Sequence, residues 1–312
     1  MLASPRSPRD SKQQNRSSMS VQQAAVADAE KVLLAAAAAY RDAFGDGLLG
    51  AYALGSLAHG GFSPLVSDID LGLMLADPVR SEDMETIELI ARDQKARRLP
   101  LAERLSVFWG TPSTLAGDVD GGRFPPLDRL DLLESGRLLI GTDARAGLLQ
   151  PTGTELLAAG AEFALGLLAG IGSSATEAVS RLGSMRPPAE GAVEEIKRPD
   201  VLAGAGARKL TKLVLFPIRF MFTAATGRVG SNDAAAAWYL ARAEAAGKPL
   251  VAAALAWRTA EPIDNRDSAA LLRAYLVPLY LHYIDDHIGR LESTGEVELA
   301  RGFREWRRRL EA

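Results

Sequence analysis

The chain has 312 residues, 47% of them apolar and 24% charged, enough apolar material for more than one folded core, so global disorder is excluded. Its 36 basic and 39 acidic residues leave a net charge of −3, which argues against nucleic acid as a partner, because such binders concentrate basic residues. The absence of cysteine excludes disulfides, thiolate zinc sites and thiol nucleophiles, and fits a cytoplasmic protein.

Residues 1–20 are rich in Ser, Arg and Gln, lack an apolar period and read as a disordered tail. They also lack the apolar stretch of a secretory signal, and no run in the chain reaches the ~18 apolar residues that cross a bilayer, so no membrane partner is expected. Order is expected to begin just after Met19, which marks that methionine as a candidate start. Residues 21–44 are Ala-rich, with Val26, Val32, Leu33 and Tyr40 as apolar anchors, and predict a helix stopped by Gly45 and Gly47. Leu48 to Leu54 is short, apolar and bounded by glycine, the pattern of a buried strand. A Gly/Ser segment, Gly55 to Ser67, leads into a second strand, Asp68 to Leu75, with acids at its start. Residues 80–97 predict a helix, with Met84, Ile87, Leu89, Ile90 and Ala91 spaced for one face. Leu105 to Trp109 and Arg137 to Ile140 read as the third and fourth strands.

After about residue 146 strand-like alternation gives way to Ala/Leu-rich helical periodicity, over 153–170, 206–225, 231–246, 249–259, 267–291 and 295–310. Ser184 to Pro199 reads as a loop, and Pro217 is expected to kink or split the helix around it. The expected fold class is therefore α+β. A small mixed β-sheet with flanking helices occupies 21–146, and an all-helical bundle occupies 147–312.

The segment Gly55 to Asp70 holds the chemistry. Residues i and i+2 of a strand share a face, so Asp68 and Asp70 project side by side while Ile69 and Leu71 turn into a core. Two carboxylates so placed repel unless a cation lies between them, and Mg²⁺ takes such oxygens together with phosphate oxygens. Upstream, Gly55-Ser56 after a buried strand allows backbone N–H groups to approach a triphosphate. A helix starting near Ser56 would aim its positive end at the same anion.

Gly-Ser, about a dozen residues, then Asp-Ile-Asp-Leu resembles the signature of the DNA polymerase β-like nucleotidyltransferase superfamily. Gly60-Gly61 and Ser67-Asp68-Ile69-Asp70-Leu71 are more specifically similar to its aminoglycoside (streptomycin/spectinomycin) adenylyltransferase branch. Arg219, Thr223 to Arg228 and Asp233 to Trp238 resemble the segment that closes over nucleotide and substrate there, and Leu138 to Gly141 before Asp143 resembles the strand ending the catalytic domain. The resemblance implies that 21–146 is a nucleotidyltransferase catalytic domain and 147–312 a substrate-binding domain. It implies that Gly55 and Ser56 contact the triphosphate and that Asp68 and Asp70 bind one or two Mg²⁺ ions. ATP would be the co-substrate and AMP would pass to a hydroxyl of an aminoglycoside-like small molecule, an antibiotic-resistance activity. A protein acceptor, as for an AMP-placing antitoxin, and a non-catalytic nucleotide-binding module are the alternatives.

Two departures from that pattern stand out. The superfamily's third carboxylate belongs on a later strand, but the matching run, Arg104 to Trp109, offers Ser106; Glu103 just before it is the candidate replacement. The branch also carries a lysine before Asp-Ala-Ala, where this chain has Asn232; Lys209 or Lys212 could supply that charge, and Lys212 and Arg219 are candidate nucleotide contacts. Trp109 and Trp238 are read as core, His59 as a surface loop residue that could also line the site, and His282, Asp286 and His287 as structural. Arg307 to Arg309 are read as a solvated helix end.

Overall fold

The computed structural model describes residues 8–117, 121–171, 192–262 and 264–312, with side chains from Gln22 onward. Helix α1 spans Pro8–Phe44. Residues 8–20 thus lie within a helix rather than in the expected tail: after Pro8, tolerated in a first turn, no breaker interrupts the run into the Ala-rich stretch. Residues 1–7 of that expected tail lie outside the described residues.

Strand β1 (Leu48–Leu54) is followed by a single helical turn, α2 (Gly55–Ala58), then β2 (Ile69–Leu75) and α3 (Ser81–Lys95). Strand β3 (Leu105–Gly110) leads to α4 (Pro112–Ala116), α5 (Pro126–Ser135) and β4 (Arg137–Gly141). The sheet order is β3-β2-β1-β4, with β1 antiparallel to both neighbours and β2 parallel to β3 across α3. This is the mixed sheet expected, and the expected strands match it to within a residue.

Strand alternation gives the sheet two distinct faces. Ala51, Ala53, Ile69, Leu71, Leu73, Leu105 and Val107 pack against α1 and α3 in one core. Tyr52, Leu54 and Met74 face the other way and pack with Leu115 of α4 and Leu132 of α5. Asp70 alternates with Ile69 and Leu71 and therefore belongs to this second face, under α5.

The remainder is helical: α6 (Gly153–Ala164) with a wide turn at Leu165–Ala169, α7 (Ala192–Ile196), α8 (Pro199–Ala203), α9 (Ala207–Thr226), α10 (Asn232–Leu240), α11 (Lys248–Ala256), α12 (Asn265–Ser293) and α13 (Val297–Glu311). The described architecture is α+β. Half of the expected Ser184–Pro199 loop, 184–191, lies outside the described residues, but Ala192–Ile196 is helical, with Val193 and Ile196 buried in the helical core. Helix α9 continues through Pro217, which is buried. Trp109 and Trp238 pack in cores, as expected. His287 is buried between Tyr283 and Phe303 with Asp286 beside it, while Arg307 to Arg309 pair with Asp285, Glu305 and Glu311.

Among the described residues no helix is long and apolar enough to cross a membrane.

Candidate functional site

The site forms where β1 ends, β2 begins and helices α5 and α9 meet the sheet. The antiparallel register sets Leu54 opposite Asp70, so the chain turns at Gly55 directly over the Asp70 carboxylate. Gly55 has φ +59°, and a Cβ built there would lie 2.4 Å from Asp70 Oδ2. Only glycine satisfies both the left-handed backbone and the close approach.

Helix α5 locks this turn. Gly55 N–H donates to Asp131 Oδ2 at 2.6 Å, and Asp131 is only 7% exposed. That N–H, expected to face a triphosphate, is therefore already committed, and Ser56 is left as the half-buried first residue beyond it. Asp131 Oδ1 is buried without a hydrogen-bond partner, 4.0 Å from His59 Nε2. His59 thus stands at the site rather than on a free surface loop. Burial lowers its pKa, opposed by Asp131 and reinforced by Arg219 and Arg258.

The two expected metal-binding acids differ sharply. Asp68 lies just before β2, and both its oxygens are engaged from α9: Oδ1 accepts from Arg208 and Oδ2 from Lys212 Nζ at 2.8 Å. Burial would raise its pKa, but the two cations outweigh it and hold the carboxyl below its usual value. Asp70 has no hydrogen bond or ion pair among the described residues. Burial first, then the charges of Asp68, Asp128 and Asp131, push its pKa up to about 8 against a smaller opposing pull from Lys212.

Asp128, also on α5, is pushed up to about 7 by burial and Asp131, with Arg123 and Arg219 opposing. Arg219 is embedded among Asp131, Asp128 and Asp70, and its Nε donates to the Gly230 carbonyl at 2.7 Å. Arg123 stacks over Phe108 at 5.0 Å and feels both Asp128 and Asp70.

The structure therefore brings Gly55, Ser56, Asp68, Asp70, Lys212 and Arg219 to one region. It does not bring Glu103 there. Glu103 sits on a tight turn before β3, its side chain 68% exposed and 3.5 Å from Arg104 Nε. The parallel register sets Ser106 beside Asp70, at the position where a third acid was expected. Lys209 turns away to pair with Glu195.

Asp128, Asp131, Arg208 and Arg258 were not singled out from sequence. Pro125-Pro126 followed by Leu127, Leu130 and Leu133 carries a helix start and spacing that would have placed Asp128 and Asp131 on one element.

A divalent cation suits the donor chemistry of Asp68 and Asp70: hard carboxyl oxygens, with those of Asp70 free of any hydrogen bond or ion pair among the described residues. Among the described residues no group of three His, Cys, Asp or Glu is arranged to hold a metal.

Fold and site together define an α+β protein with a carboxylate pair beside a glycine turn, faced by cations from a helical half. No protein-family model and no curated protein matches the chain. Among solved structures, a match is found to spectinomycin adenyltransferase AAD(9) from Enterococcus faecialis, crystallised with ATP and spectinomycin. It covers 93% of this chain and 100% of that one at 12% identity and a TM-score of 0.48, a likeness too distant to assign an activity.

Proposed function

We propose that the chain is a Mg²⁺-dependent nucleotidyltransferase that moves a nucleoside monophosphate, AMP from ATP, onto a hydroxyl of a small aminoglycoside-like acceptor. The observation that carries this reading is Asp70: a carboxylate without a partner among the described residues, pressed against Gly55, two positions from a second acid. A buried carboxyl group left without a hydrogen-bond partner is costly to the fold and persists where a ligand uses it.

In the reaction an acceptor hydroxyl displaces pyrophosphate from the α-phosphorus. Asp68 and Asp70 would hold Mg²⁺, which when bound neutralises phosphate charge and orients the triphosphate. Asp131 fixes the Gly55-Ser56 turn, against which the triphosphate would lie. Lys212 and Arg219, reaching the acid cluster from α9, offer the positive charge that phosphate oxygens require. The helical half, 147–312, would select the acceptor, and α10 presents Asp233 toward the glycine loop through Arg258.

Pyrophosphate release from ATP and Mg²⁺ over a panel of hydroxylated acceptors, streptomycin and spectinomycin included, tests the proposal. Asp70→Asn should abolish release, because an amide cannot neutralise metal charge; full turnover in that variant would remove the metal assignment. Ser106 beside Asp70 favours a second reading, a nucleotide-binding module without catalysis, since a neutral hydroxyl stands where an acid would take the acceptor's proton. That reading predicts Mg²⁺-dependent ATP binding with no pyrophosphate from any acceptor.

A further inference from the structure

The pairing of Asp68 with α9 does more than neutralise a charge. Arg208 and Lys212 are four residues apart on one helix and reach the same carboxylate, one on each oxygen. Arg208 also donates to the Val66 and Ser67 carbonyls at 3.4 and 3.3 Å, so it holds the strand entry as well as the acid. Two positive charges meet one negative one at Asp68, while Asp70 close by has no counter-charge in contact. All three paired side chains remain about one-third exposed, open enough to exchange partners.

Each Asp68 oxygen keeps a lone pair beyond these hydrogen bonds, but a divalent cation held there would face the positive charges of Arg208 and Lys212. The cation and the helix side chains therefore compete for Asp68. A displaced guanidinium or ammonium left facing a metal ion would be repelled, unless an anion enters with that ion. A polyphosphate is such an anion, and its oxygens match both an Arg fork and a Lys point charge.

We propose that Arg208 and Lys212 form an exchangeable ionic clamp. They hold Asp68 in the nucleotide-free protein and pass to the polyphosphate when a divalent cation takes Asp68. The inference rests on the nucleotidyltransferase reading and adds to it a residue, Arg208, and an order of events: cation and triphosphate enter as a unit, and the free cation alone binds poorly. The clamp also gives α9 a signal, since its grip on the Val66–Asp68 segment loosens only when the charged ligand pair is present.

The test is equilibrium binding by titration calorimetry on the full-length protein, with Mn²⁺ alone, a nonhydrolysable ATP analogue alone, and both together. Wild type should bind the pair at least about tenfold more tightly than either component, one decade being about 1.4 kcal/mol. Arg208→Ala with Lys212→Ala should bind Mn²⁺ alone about tenfold more tightly and the pair about tenfold more weakly, opposite changes that misfolding does not produce. Asp68→Asn releases both cations without touching them and should bind the metal-free analogue more tightly than wild type. The clamp is overturned if wild type binds the pair and neither variant shifts these affinities in the stated directions. If wild type binds neither Mn²⁺ nor analogue in any combination, the nucleotidyltransferase reading itself fails, and the clamp with it.

Discussion

Gly55 and Gly60 lie five positions apart with φ +59° and +80°, yet the same substitution should affect them very differently. A Cβ at Gly60 meets nothing within 4 Å, so Gly60→Ala costs only the left-handed backbone, about 1–2 kcal/mol. At Gly55 the methyl group would lie on Asp70 Oδ2, and either the turn or the acid must move. Gly55→Ala should therefore lose about 2–4 kcal/mol in denaturant melts and abolish metal-dependent triphosphate binding, whereas Gly60→Ala should retain it. Equal behaviour of the two variants would mean that the contact with Asp70 is not what the glycine serves. Asp70 itself sets a pH dependence. Its ordinary value of 3.8 rises to about 8 in the fold, so the folded state binds more protons through that interval. Its contribution to stability is complete below about pH 4 and is lost as pH rises through 8. Asp128, pushed up to about 7, acts in the same direction, and His59, lowered by burial, acts in the opposite one. Asp68, held below its usual value, contributes stability that is lost only at lower pH, outside this window. The melting temperature of Asp70→Asn should therefore gain on wild type as pH is raised from 5 to 9. A difference that stays constant with pH would show that Asp70 ionises at its ordinary value.

At the scale of elements, helix α5 decides whether the site is built. Asp131→Ala leaves Gly55 N–H without its acceptor and should cost about 1–3 kcal/mol in urea melts. Asp131→Asn keeps an oxygen for that N–H and removes a charge facing Asp70, so it should keep the turn while flattening the pH dependence attributed to Asp70. If both variants lose the same stability, the hydrogen bond and the charge are not separable roles of Asp131. The strands of this region were legible in the sequence because each apolar run is bounded by glycine or by acids, and Asp68-Ile69-Asp70 stood out as carboxylates in a segment that disfavours them. Helix α5 was passed over because ten residues just ahead of a strand, opened by paired prolines, resemble a connection unless their Leu spacing is counted. Glu103 was favoured by adjacency along the chain. Strand register, which no single sequence displays, put Ser106 beside Asp70 and left Glu103 exposed. Glu103→Gln should accordingly leave any pyrophosphate release unchanged. Arg208 of α9 and the acids of α5 were illegible for the same reason, because they are brought in from distant parts of the chain, as the 76-residue separation of Gly55 and Asp131 illustrates.

Across the whole molecule, the proposed division at residue 146 is crossed by the glycine loop, which belongs to β1–β2 in sequence but is fastened to the helical half. Val66 packs within the helical core. Arg258, with a side chain only 8% exposed, donates to Asp233 Oδ2 and to the Gly61 carbonyl, each at 2.6 Å. Its own carbonyl accepts from the buried Ser63 hydroxyl. Arg208 adds the Val66 and Ser67 carbonyls and Asp68. A loop tied at both ends transmits unfolding of either core to the other, so wild type should melt in a single calorimetric transition. Arg258→Met keeps most of the buried stem and removes both donated hydrogen bonds. Asp233 is exposed and rehydrates readily, but the Gly61 carbonyl loses its charged partner, for a loss of about 1–3 kcal/mol. Arg273→Met is the control: its pair with Asp200 is exposed on both sides and should be worth under about 1 kcal/mol. The expected outcome is a lowered or split transition for Arg258→Met only, with weaker metal-triphosphate binding because the loop leading to Asp68 loses its anchor at Gly61. If Arg258→Met melts like the control, the two halves are coupled through packing rather than through this loop, and the acids at its end are positioned by the sheet alone.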